Sequence, residues 1–145
     1  MREELRCKIY PANRLDGYKY VVICSYYEGK WLLSKHKNRA TWGLQGEHIE
    51  NGETPMDAAR RELCEESGIM KADLYHICDY LGFDSKDSAN GAVYLALAHE
   101  LGQLPKSEME RTALFDNLPK RLTYPLVTPV FIRQAELFAK ENHLL

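Results

Sequence analysis

Residues 52–69, Gly-Glu-Thr-Pro-Met-Asp-Ala-Ala-Arg-Arg-Glu-Leu-Cys-Glu-Glu-Ser-Gly-Ile, define a helix and dictate what one of its faces carries. Thr54 suits the N-cap, Pro55 the first helical position and Asp57 the acid of a capping box. Gly68 suits the left-handed residue past the last turn. Each residue advances about 100° around such a helix, so Glu62, Glu65 and Glu66 share a face, with Ala58 one turn earlier leaving it open. Met56, Ala59 and Leu63 form an adjacent apolar stripe that is expected to pack on a sheet. Glu65 and Glu66 also lie in the last turn, where the helix dipole disfavours anions. Such crowding costs stability unless something positive offsets it, and a cluster of carboxylates suits hard Mg²⁺ or Mn²⁺. A solvated acidic face is the competing reading.

The rest of the chain frames that helix. Its 145 residues are enough for one domain, 1–145, with a real core. A composition of 45% hydrophobic and 28% charged residues is that of a soluble globular protein. The net charge of −2 argues against nucleic-acid binding by bulk electrostatics, but not against a nucleotide substrate. No apolar run approaches the roughly 18 residues of a membrane span, and Met1-Arg2-Glu3-Glu4 does not read as a signal peptide. Cys7, Cys24, Cys64 and Cys78 are scattered, as expected for free thiols in a reducing cytoplasm, and zinc-ligand spacing is missing.

Strands are expected at residues 5–10 (an edge), 18–26, 31–36, 72–83 and 92–101, with a hairpin turn at Glu28-Gly29-Lys30. Residues 37–45 and the polar run 84–91 read as loops. A second helix opens at Thr128-Pro129, with Val130, Phe131, Ala135, Phe138 and Ala139 toward the sheet. Strands and helices interleaved in this order give an α/β fold with a mixed β-sheet between helices.

The helix stretch resembles the signature of the Nudix hydrolases. That signature runs Gly, five residues, Glu, seven residues, Arg-Glu, an aliphatic residue, one residue, Glu-Glu, one residue, Gly, an aliphatic residue. Here Glu53 is followed by seven residues and then Arg61-Glu62-Leu63-Cys64-Glu65-Glu66-Ser67-Gly68-Ile69, and only the initial Gly is changed, to Glu47. Trp42-Gly43-Leu44-Gln45-Gly46-Glu47 is similar to the family's approach segment, with Gln45 for a Pro and Glu47 for a second Gly.

The resemblance implies an α/β/α sandwich and hydrolysis of a nucleoside diphosphate linked to another group, by water attack on phosphorus. It implies that Glu62, Glu65 and Glu66 hold Mg²⁺, with Mn²⁺ as substitute, and that Glu62 takes the water proton. Arg61 would orient a carboxylate, with Glu53 as its partner, and a main-chain carbonyl at Gly46 or Glu47 would join the metal. Glu47 has two readings, a further carboxylate near the metal or a solvent-facing side chain. Glu108 and Glu110 are candidates for an additional acid, Glu110 being preferred. Trp42, Phe83 and Tyr94 are candidates for base stacking, core packing being the alternative fate of each. The implied substrate is a nucleoside triphosphate, ordinary or oxidised. ADP-ribose, dinucleoside polyphosphates and a weakly catalytic nucleotide sensor are the alternatives, and a homodimer is left open.

Overall fold

A computed structural model describes residues 4–145; the reading of the first residues as no signal peptide falls mainly outside it. The chain forms β1 (Arg6–Pro11), β2 (Tyr20–Tyr27), β3 (Lys30–His36), β4 (Trp42–Gly43), β5 (Gln45–His48), α1 (Pro55–Ser67), β6 (Ala72–Phe83), β7 (Ser88–Ala98), β8 (Met109–Phe115) and α2 (Thr128–Glu141). The strands make one sheet in the order β1-β6-β7-β2-β3-β4, with β5 also on β2 and β8 also on β3. The β2–β7 pairing is parallel and the other pairings between these strands are antiparallel, so the sheet is mixed.

Alternation along β2 sends Val21 and Ile23 to one face and Val22 and Cys24 to the other. On the first face Ala58, Ala59 and Leu63 of α1 close over Val21, Ile23, Leu32 and Tyr94. On the second, Phe131, Ile132, Ala135 and Ala139 of α2 close over Cys24, Trp31, Tyr80 and Leu95. Covering both faces explains why the central strands read as nearly continuous apolar runs. On α2, Val130 and Phe138 sit at the margin of the packed face, and Ile132 is buried instead. The four cysteines are free, with Cys24 and Cys78 buried.

The β2–β3 hairpin turns through Glu28 and Gly29, both left-handed at φ 47° and 83°. This is the turn geometry whose twist matches paired strands. Residues 37–45, expected as loop, instead contain β4 and the start of β5, because β2 changes partner along its length. Its first half, Tyr20–Ile23, pairs with β5, and Ser25–Tyr27 pairs with β3. The polar connection expected at 84–91 shrinks to 84–87, since β7 begins at Ser88. The last strand in the chain, β8, is not among the expected strands and carries Glu110 within the sheet.

Candidate active site and metal centre

Both ends of α1 are fixed locally. Thr54 Oγ1 accepts from the Asp57 amide (3.1 Å) and Asp57 Oδ2 accepts from the Thr54 amide (3.2 Å), closing the capping box. At the other end Gly68 takes φ 81° and donates its N–H to Cys64 O at 2.8 Å. A side chain at Gly68 would run into the Gln103 carbonyl, so glycine also lets the 99–108 connection pass close by.

This placement buries part of the acidic face. Ala58 is fully buried, the Glu62 side chain is 5% exposed, and Glu65 is 51% exposed. The face expected to be open is therefore wedged against the sheet along the Ala58–Glu62 line, and of the three carboxylates Glu65 is the most exposed.

Arg61 organises the carboxylates. Its Nε and Nη2 donate to the two oxygens of Glu53 at 2.6 and 2.9 Å, a bidentate pairing. Nη2 also donates to the His48 carbonyl at 3.2 Å, and Nη1 lies 3.4 Å from both Glu62 and Glu65. Glu50 completes the ring, 3.2 Å from Nε. The Arg61 pairing draws the Glu53 carboxyl down to about 2, and the same pairing raises Arg61. The sequence-based pairing of these two residues is the one present here.

The buried pair behaves oppositely. Burial, then repulsion from Glu66, pushes Glu62 up to about 8. Burial likewise pushes Glu66 up to about 7, although the Gly46 N–H that it accepts at 2.8 Å works the other way. Gly46 is required at its position: φ is 144°, and any side chain would strike the Val21 carbonyl. Glu47 has no left-handed backbone to support. Its side chain is 55% exposed and lies 2.9 Å from His48 Nδ1, which explains how a Glu is accommodated beside Gly46.

These groups line a cavity of about 510 Å³ formed by Glu47, His48, Glu50, Arg61, Glu62, Glu65, Glu66, Lys106, Ser107, Glu108 and Met109. The donor set is carboxylate oxygen, the ligand type of hard divalent cations, and burial raises Glu62 and Glu66, so that holding both ionised here has a cost that a bound cation would offset. The residues therefore fit a divalent cation chemically. Among the described residues no cluster of three acids, histidines or cysteines is drawn together at ligand distance; Glu65 leans toward Arg61 and Glu66 toward Gly46.

Other expected site residues lie elsewhere. Glu110 pairs with Lys35 at 3.2 Å and is not part of the lining, whereas Glu108 is. Trp42 stacks edge-on against Phe115 (5.1 Å between centroids) with the Arg111 guanidinium 5.1 Å above its ring. Phe83 ends β6 opposite Arg6, and Tyr94 is buried against His76. None of these aromatics lines the cavity. Lys106, brought over the acids by the 99–108 connection, was not legible in the sequence: a Pro-Lys-Ser run carries no pattern beyond a polar loop.

Residues 18–120 match the NUDIX domain family. A Bacillus subtilis protein provisionally named 8-oxo-dGTP diphosphatase YtkD is 29% identical over 109 residues, 74% of this chain and 68% of that protein. An RNA pyrophosphohydrolase of Vibrio atlanticus is 37% identical over 62 residues, 41% of this chain and only 36% of that protein. The fold is that of the B. subtilis pyrophosphohydrolase BsRppH, with a TM-score of 0.75 at 21% identity over 92% of this chain and 90% of the other. With the signature helix, its arginine–glutamate scaffold and a match over most of its length, the chain belongs to the Nudix hydrolase family, whose members generally use divalent metals.

Proposed function

We propose that the protein is a Mg²⁺-dependent nucleotide pyrophosphohydrolase, with Mn²⁺ as substitute, cleaving a nucleoside triphosphate, ordinary or oxidised, to monophosphate and pyrophosphate. The observation that carries this reading is geometric: Glu62, Glu65 and Glu66 line one cavity of about 510 Å³ beside the bidentate Arg61–Glu53 scaffold. Glu62, Glu65 and Glu66 would hold the metal, with the Gly46 carbonyl as a further donor; the bound cation would neutralise phosphate charge and lower the pKa of attacking water. By the family resemblance Glu62 would accept the water proton, once a bound cation holds its carboxyl ionised. Arg61, fixed by Glu53, restricts where Glu62 and Glu65 can point. Lys106, which also lines the cavity, would offer a positive charge to the phosphate chain.

The triphosphate reading is supported by the YtkD relative. A second substrate, the triphosphorylated 5′ end of an RNA, is supported by the relative named RNA pyrophosphohydrolase and requires the same bond to be cut. We read residues 1–145 as one domain, and the free cysteines support a cytoplasmic setting.

The test is a substrate screen with Mg²⁺ and then Mn²⁺, using Glu66→Gln as blank. It compares ordinary and oxidised nucleoside triphosphates, a 5′-triphosphorylated oligoribonucleotide, ADP-ribose and dinucleoside polyphosphates. Pyrophosphate release from a triphosphate, abolished in Glu66→Gln, is expected. Binding without turnover of any member would replace this reading with a nucleotide sensor.

A further inference from the structure

Gln45 stands where the family's approach segment carries Pro, and its side chain is completely buried. It fills the fork where β2 passes from β5 to β3, and its polar atoms are all engaged. Gln45 Nε2 donates to the Leu32 carbonyl at 3.2 Å and to Ser34 Oγ at 2.8 Å, while Oε1 lies 2.6 Å from Ser25 Oγ. Ser34 Oγ in turn reaches the main-chain carbonyl of Glu66 at 2.7 Å. The direction of every bond is forced. Carbonyls only accept, so Nε2 must face Leu32, Ser25 must donate to Oε1, and the Ser34 hydroxyl must donate to Glu66.

The neighbouring residue holds the other end of Glu66, because the Gly46 N–H donates to Glu66 Oε1 at 2.8 Å. Gly46 thus holds the carboxylate of Glu66 directly, while Gln45 supports the Ser34 hydroxyl of β3 that holds its main chain. That glutamate lies in the last turn of α1, where carbonyls have no partners within the helix and the chain is free to fray. We infer that Gln45, acting through Ser34, is a positioning residue that fixes the last turn of α1 so that the Glu66 carboxylate is presented at the metal site. The departure from Pro then adds a support to the site, which a ring without an amide cannot give. This inference rests on the reading of Glu66 as a metal carboxylate.

The experiment compares Ser34→Ala, Gln45→Met, the double variant, and Thr41→Val as a control. Thr41→Val removes a comparable side-chain hydrogen bond, the 2.7 Å contact with Thr123, away from Glu66. Two properties are read: Mn²⁺ affinity by calorimetry, and hydrogen exchange of the Gly46 amide by NMR without added metal. Ser34→Ala and Gln45→Met are each expected to weaken Mn²⁺ binding and speed Gly46 exchange by roughly threefold to tenfold, the scale of one hydrogen bond. The double variant should be no worse than Gln45→Met, because both break one chain, and Thr41→Val should change only the melting temperature. Wild-type values for both properties in Ser34→Ala, or losses that multiply in the double variant, overturn the inference. Should Gln45→Met fail to fold, Ser34→Ala decides alone, since it keeps the Gln45 bonds to Ser25 and Leu32. Should the wild type bind no Mn²⁺, the metal reading fails, and Gly46 exchange still judges the clamp.

Discussion

Arg61 shows how much of this site depends on the shape of one side chain. Its planar fork meets both oxygens of Glu53 and still reaches the His48 carbonyl, a combination that a lysine ammonium cannot reproduce. Arg61→Lys should therefore lower kcat/KM by roughly 10- to 100-fold, the usual cost of losing a support behind metal ligands. Glu53→Gln should behave similarly, and the double variant should be little worse than either; steady-state kinetics on the substrate found by the screen checks this. At this scale the sequence was informative where spacing defines a face, as for Glu62 and Glu66. It was uninformative where strand register decides. Glu110 was preferred over Glu108, yet the β3–β8 ladder steps from Lys35↔Arg111 to His36↔Met109, which leaves Glu110 as the extra residue of a bulge. There it pairs with Lys35, and Glu108 takes the place at the cavity. A one-residue irregularity of this kind has no signature in composition or alternation.

At the scale of elements, α1 was readable from its caps inward, because each cap residue acts on its immediate neighbours. The short strands β4 and β5 were not readable. They exist because β2 offers unpaired backbone where β3 turns away, a condition set by distant chain. The junction of α1 with the 99–108 connection gives a sharp expectation. Gly68→Ala would force a side chain into φ 81° and into the Gln103 carbonyl. The left-handed conformation alone costs about 1 kcal/mol, and displacement of the connection adds to it. Because that connection carries Lys106 and Glu108, activity should fall more than stability: kcat/KM is expected to drop at temperatures well below the melting point of the variant. A variant that melts lower yet keeps wild-type kinetics would show that the connection does not position the cavity wall.

The molecule as a whole should respond to pH in a way that follows from its buried acids. Glu62 and Glu66 bind protons more tightly folded, at about 8 and 7, than at the ordinary value of 4.5. Their favourable contribution is complete below about pH 4.5 and is lost as pH rises through 7 to 8. Without divalent metal, stability should therefore decline from pH 5.5 to pH 8 by several kcal/mol. Glu62→Gln should flatten the decline, and Mg²⁺ at pH 8 should restore the melting temperature. Calorimetric scans across this range decide it; a melting temperature that is flat or rises between those pH values without metal would contradict the expectation. The α/β/α sandwich followed from the family resemblance, and the mixed sheet between helices was legible from the order of strands and helices. The depth at which α1 sits was not, because it depends on how β5 lies beneath Glu62 and Glu66.

The turn at the far end of the β2–β3 hairpin offers an engineering opportunity. Glu28 holds φ 47° without the freedom of glycine, a conformation that Asn adopts with less strain. Replacing it by Asn should raise the melting temperature modestly while leaving turnover untouched, since it does not line the acidic cavity. Natural selection has left a removable local weakness there. A laboratory could recover that margin before introducing the costlier changes that would alter which nucleotide the cavity accepts.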